Sequence, residues 1–139
     1  MWFRRRAAQG ADLAHVRGEL HRILEVVDEA TANGDPRGLA RALAGDALAD
    51  VHGRLDAYVL AGISVHPSRD GLRVVASDPV EDDRIRVRLQ YRDRTTFLPD
   101  RGPAVSTDEP VELVVVVDTR LDPWRAVTIT ETDAGPGPA

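Results

Sequence analysis

From Arg84 to Arg92 the chain alternates without a break. Ile85, Val87, Leu89 and Tyr91 fall on one side, and Arg84, Arg86, Arg88, Gln90 and Arg92 on the other. A period of two is the mark of a strand with one dry face and one wet face. It excludes an amphipathic helix here, whose apolar positions would recur at three and four. A strand of this kind needs a sheet around it and a layer to cover its dry face.

The first half of the chain supplies that layer. Leu13, Val16, Leu20, Ile23, Leu24 and Val27 share about 100° of a helical wheel, with Arg22, Glu25 and Glu29 opposite. Gly18 falls on the polar side and costs about 1 kcal/mol of helix propensity. Gly34 is the predicted C-cap. Asp35-Pro36 then opens a short second helix with Leu39 and Leu43 inward, ending at Gly45. Asp46 is the predicted cap of a third helix, striped by Leu48, Val51, Leu55, Tyr58 and Val59 and closing near Gly62.

Strands follow. Leu72 to Ala76 is bounded by Asp70-Gly71 and Asp78-Pro79. Thr95 to Pro110, punctuated by Pro99, Gly102 and Pro103, is expected to be a long connection, with room for a short strand portion. Val111 to Asp118 is apolar on both faces at its middle, which a strand with one wet side would not be. Leu113, Val115 and Val117 are expected to face the helices, and Val114 and Val116 the outside. Leu121-Asp122-Pro123 makes a turn before a last strand, Trp124 to Glu131, with Val127 and Ile129 inward. The predicted fold is α+β. Three N-terminal helices pack on a curved four-stranded antiparallel sheet over residues 11–132, between a basic tail (1–10) and a disordered tail (133–139).

A chain of 139 residues is one domain in length. It has no cysteine, which removes thiol catalysis, disulfides and Cys-ligated metals. All 18 basic residues are arginine, so Schiff-base chemistry and the P-loop lysine are absent. A net charge of −5 and only six aromatics argue against a nucleic-acid partner. The apolar stretch a signal peptide needs does not follow Met1–Arg6, and a cytoplasmic location is expected. Trp2 to Arg6 offers contact with an anionic membrane surface, or is simply a basic tail.

The layout resembles the NTF2-like superfamily and, within it, the Tim44-like domains. The resemblance rests on the Gly-Asp step in ANGDPRGL, the helix Asp46 to Ala61, the strand IRVRLQYRD, and PVELVVVVDTRLDPWRAVTITE with its Trp-x-x-x-x-Ile ending. It implies a cone enclosing an apolar pocket, in a superfamily that includes isomerases, dehydratases, cyclases and many non-catalytic assembly domains. Fold alone does not choose among these.

The predicted inward positions hold no Asp, Glu or His to act as general acid or base. The leading expectation is therefore a non-catalytic binding or assembly module for a protein partner or a small apolar ligand. The alternative is a small isomerase, dehydratase or cyclase with Tyr58 or Tyr91 as proton donor. Tyr58, Tyr91 and Trp124 are candidates to line a pocket, or ordinary core aromatics. Arg84, Arg86, Arg88 and Arg92 project from one strand face, successive ones about 7 Å apart. They suit an acidic protein partner or phosphates, or form a solvated face paired with Glu112 and Asp118. His15/Glu19 and His21/Glu25 give only two ligands each on different sides of a helix, so no metal or other cofactor is expected. His52 and His66 are read as structural. Val114 and Val116 are the expected centre of a homodimer interface, with opposite charges meeting across a two-fold axis.

Overall fold

The computed structural model describes residues 2–132, with side chains from residue 13 onward. The Trp2–Arg6 side chains and the 133–139 segment, on which a membrane contact and a disordered tail are expected, lie outside the described residues.

Helix α1 spans Trp2–Asn33 and buries Val16, Leu20, Ile23, Leu24, Val27 and Ala30. Leu13, expected on the same stripe, is 49% exposed. Asp35 caps the next element by accepting from the Arg37 N–H (3.0 Å), and Pro36 takes its first turn as expected. That element, Pro36–Arg41, is six residues of 3-10 helix, not an α-helix. Nucleating an α-helix costs more than so short a piece returns, yet Leu39 and Leu43 still reach the core, both fully buried. Helix α2, Gly45–Leu60, starts after Ala44, which offers no side-chain cap, and Asp46, expected as the cap, lies inside the first turn instead. Ala47, Val51 and Leu55 form its buried stripe.

Seven strands follow. The larger sheet has the order β2-β3-β6-β7, with β2 Arg69–Glu81, β3 Arg84–Asp93, β6 Glu109–Asp118 and β7 Arg125–Thr132, all antiparallel. The smaller has the order β1-β4-β5, with β1 Ile63–His66, β4 Thr96–Pro99 and β5 Val105–Ser106. Three chain segments pass directly from one sheet into the other, at Pro67-Ser68, Arg94-Thr95 and Thr107-Asp108. There the Arg94 N–H donates to the Ser68 carbonyl and the Thr107 N–H to the Thr95 carbonyl, both 2.9 Å.

The expected architecture of three helices on one four-stranded sheet is therefore overturned. The protein is α+β with two α-helices, one short 3-10 helix and two antiparallel sheets among its described residues. The expected strand Leu72–Ala76 runs straight through both of its predicted turn signals. Gly71 falls in a register shift of β2 between Asp70 and Arg73, and Asp78-Pro79 stays paired with Arg86 and Ile85, just before another shift between Pro79 and Glu81. Gly71 adopts φ +66°, and Pro79 is tolerated because β2 is an edge strand. Val127 is also corrected. A bulge between Val116 and Val117 pairs them with Thr128 and Ala126, so fully buried Ala126 takes the core position. Ala126 is pinned by hydrogen bonds with Ala42 and Ala44 (2.8 and 2.9 Å). No helix among the described residues is long and apolar enough to cross a membrane.

Candidate functional site

The arginine row forms as a row. Cross-strand partners share a face, and the register sets Arg84, Arg86, Arg88, Gln90 and Arg92 of β3 opposite Asp118, Val116, Val114, Glu112 and Pro110 of β6. On the other side β2 contributes Asp78 opposite Arg86 and Ala76 opposite Arg88. Beyond β6, Thr130 and Thr128 flank Val114 and Val116. These two valines are half-buried on the outer face, while Leu113, Val115 and Val117 fill the core.

Most of the row already has acidic neighbours. Arg88 donates to Glu112 (3.1 Å), which also accepts from Gln90 and from the Thr132 hydroxyl (both 3.0 Å). These hydrogen bonds hold the Glu112 carboxyl below the usual carboxylate range, that from Gln90 foremost. Arg92 pairs with Asp108, and Arg94 joins Asp108 to Asp70 (3.6 and 3.1 Å). Arg84 lies opposite Asp118, whose carboxyl is bound by the Arg120 side chain (2.9 and 3.2 Å) and backbone N–H (3.0 Å). Those bonds, with Arg84 as a lesser contributor, lower Asp118 to about 2. Arg86 makes no ion pair among the described residues.

The three candidate aromatics are not brought together. Tyr58 packs on Phe97, ring centroids 5.9 Å apart, and borders a groove of about 430 Å³ with Gly34, Ile63 and Asp100. Tyr91 lies under the Arg69 guanidinium, 4.9 Å from its centroid, beside a cleft of about 400 Å³ with Gly71, Arg73 and Arg92. Burial pushes its hydroxyl pKa up, against the pull of Arg69. Trp124 meets His15 edge-on at 4.7 Å, donates its backbone N–H to Glu19 (3.1 Å), and accepts from Arg22 at its carbonyl. It is therefore a fastener between α1 and the start of β7. His52 pairs with Asp56 (3.2 Å) on the exposed side of α2, and His66 is exposed on β1. No three of His, Asp or Glu among the described residues cluster to hold a metal ion.

Two features are invisible to spacing. Arg69, just past the break at Pro67, holds Asp28 of α1 with two hydrogen bonds. Asp100 lies across from Gly62, its N–H donating to the Gly62 carbonyl (2.8 Å). Gly62 is at φ +69°, and a Cβ there would overlap the Asp100 carboxylate.

No known family profile matches the chain, and no curated protein sequence does. Among solved structures it is similar to the intermembrane space region of the chloroplast protein ARC6. The TM-score is 0.68 at 11% identity, over 83% of this chain and 95% of that one. TsrD from Streptomyces laurentii matches at a TM-score of 0.44 and 16% identity, over 84% and 88%. The likeness to ARC6 is one of fold alone.

Proposed function

We propose that the chain is a non-catalytic assembly module of the Tim44-like kind, and that a second copy of it covers the outer face of the four-stranded sheet. The observation that carries this reading is the Val114–Val116 pair at the centre of a face whose charges are balanced. Arg88 and Arg92 are joined to Glu112 and Asp108, and Arg84 and Arg86 lie opposite Asp118 and Asp78. Such a face meets its own copy without net repulsion. A purely acidic partner would have to displace Glu112 and Asp108 first. Covering what remains exposed of each half-buried valine is worth about 1 kcal/mol, and the charged rim fixes the register of the contact.

The inner face supports binding over catalysis. Val87, Leu89, Leu113, Val115 and Val117 fill it. The one buried charged residue described, Asp118, is paired with Arg120 at the sheet's end. Sedimentation equilibrium at micromolar concentration tests the reading. A dimer is expected for the wild type, and for Val116→Arg a folded monomer with a lower unfolding midpoint, because the contact's mass-action stabilisation is lost. A wild-type monomer, or a Val116→Arg dimer of undiminished affinity, contradicts it.

A further inference from the structure

The groove beside Tyr58 lies away from the sheet face and has a different character. Helices α1 and α2 both end at it. At the end of α1 the Asp35 and Gly34 N–H groups donate to Ala30 and Thr31 (3.0 and 3.3 Å), and at the end of α2 the Ala61 and Gly62 N–H groups donate to Ala57 and Val59 (3.0 and 3.1 Å). A helix C-terminus carries the equivalent of about half a negative charge, which a basic side chain in the last turn commonly offsets. Neither helix has a basic residue in its last turn.

The Asp100 carboxylate adds a full charge. The absent side chain of Gly62 lets it lie against the groove, and it makes no ion pair among the described residues. No arginine or histidine lines the groove, in a chain that carries 18 arginines. Two helix dipoles and one carboxylate thus converge on about 430 Å³ of space, walled on one side by Tyr58. That volume is within the usual range of ligand pockets, roughly 300–1,000 Å³.

We infer that this groove receives the arginine or lysine side chain of a partner polypeptide. Its charged head lies between Asp100 and the helix ends, and its stem lies on the Tyr58 ring. Charge complementarity selects the cation, and its aliphatic stem packs on the aromatic face. The rim points to a polypeptide over a free small cation. Val59 and Leu60, at the end of α2, are 58% and 88% exposed. They offer an apolar step for the residue next to the basic one. This site goes beyond the sheet-face reading and stands whether or not the chain dimerises.

The test is an NMR titration of the full ¹⁵N-labelled chain with acetyl-Leu-Arg-Leu-amide, alongside acetyl-Leu-Glu-Leu-amide and arginine methyl ester. Saturable shifts are expected with the arginine peptide, confined to Thr31–Gly34, Tyr58–Ser64 and Asp100, and absent with the glutamate peptide. Asp100→Asn keeps the shape and the backbone hydrogen bond, and should weaken binding by about fivefold, as expected for an exposed ion pair. Scattered or unsaturable shifts would overturn the inference. So would equal binding of the glutamate peptide, affinity unchanged by Asp100→Asn, or arginine methyl ester binding as tightly as the peptide.

Discussion

The Arg69 guanidinium grips the Asp28 carboxylate through two hydrogen bonds of 2.7 and 3.0 Å, and so ties the first residue of β2 to helix α1. Both side chains are largely buried, at 17% and 29% exposure, and Arg69 also covers the Tyr91 ring. Burial pushes the Asp28 pKa up, with the Arg69 charge opposing it.

Removing one partner strands the other. Asp28→Ala should destabilise the fold by about 1.5–3 kcal/mol, the cost of a lost hydrogen bond to a charged group. Replacing both, as Asp28→Leu with Arg69→Met, should cost less than the sum of the two single changes. Urea unfolding of the four variants measures this, and strict additivity would mean the pair contributes nothing as a pair.

The glycines within the helices and the one just beyond α2 separate cleanly by environment. A Cβ at Gly18 or Gly53 meets nothing within 4 Å. Gly18→Ala and Gly53→Ala should each stabilise by about 0.5–1 kcal/mol. Gly62→Ala should destabilise, because it combines φ +69° with an overlap on Asp100. Thermal unfolding of the three variants reads both signs.

The bulge in β7 makes its own prediction. Ala126 is fully buried and Val127 only partly so. Ala126→Leu should overpack the core and cost about 1–3 kcal/mol, while Val127→Thr should cost much less. The opposite ranking would place Val127 in the core and remove the bulge.

Asp118 gives the acid limb of stability a definite source. Its folded pKa of about 2 lies below its ordinary value of 3.8. The carboxylate therefore contributes stability that is fully present above about pH 4 and is lost as pH falls through about 2. Asp118→Asn should be less stable than wild type at pH 6 and lose less stability between pH 4 and 2. Equal slopes for the two proteins over that window would contradict the assignment.

What the sequence made legible is what periodicity encodes. Val87, Leu89, Leu113, Val115 and Val117 could be placed inward because alternation leaves them no other face. Leu20, Ile23 and Leu24 could be placed by helical spacing. The four-residue strand β1 escaped because Ile63–His66 is too short to show a period and is closed by Pro67. The extent of β2 escaped because Gly71 and Pro79 signal turns in most settings and are absorbed here by an edge strand. The candidate sites were half legible. The arginine row and the outward valines follow from alternation. The partners Asp108 and Asp28, and the meeting of two helix ends with Asp100, depend on contacts between segments far apart in the chain.

The central claim, that a second copy covers the Val114–Val116 face, is tested most directly by cross-linking, since the chain has no cysteine of its own. Val114→Cys and Val116→Cys each place a single thiol at the proposed interface, and Ala49→Cys places one on the exposed side of α2. With a short bis-maleimide at micromolar protein, both sheet variants should give covalent dimers and the helix variant only monomer. Monomer from both sheet variants, or dimer from all three alike, would contradict the account.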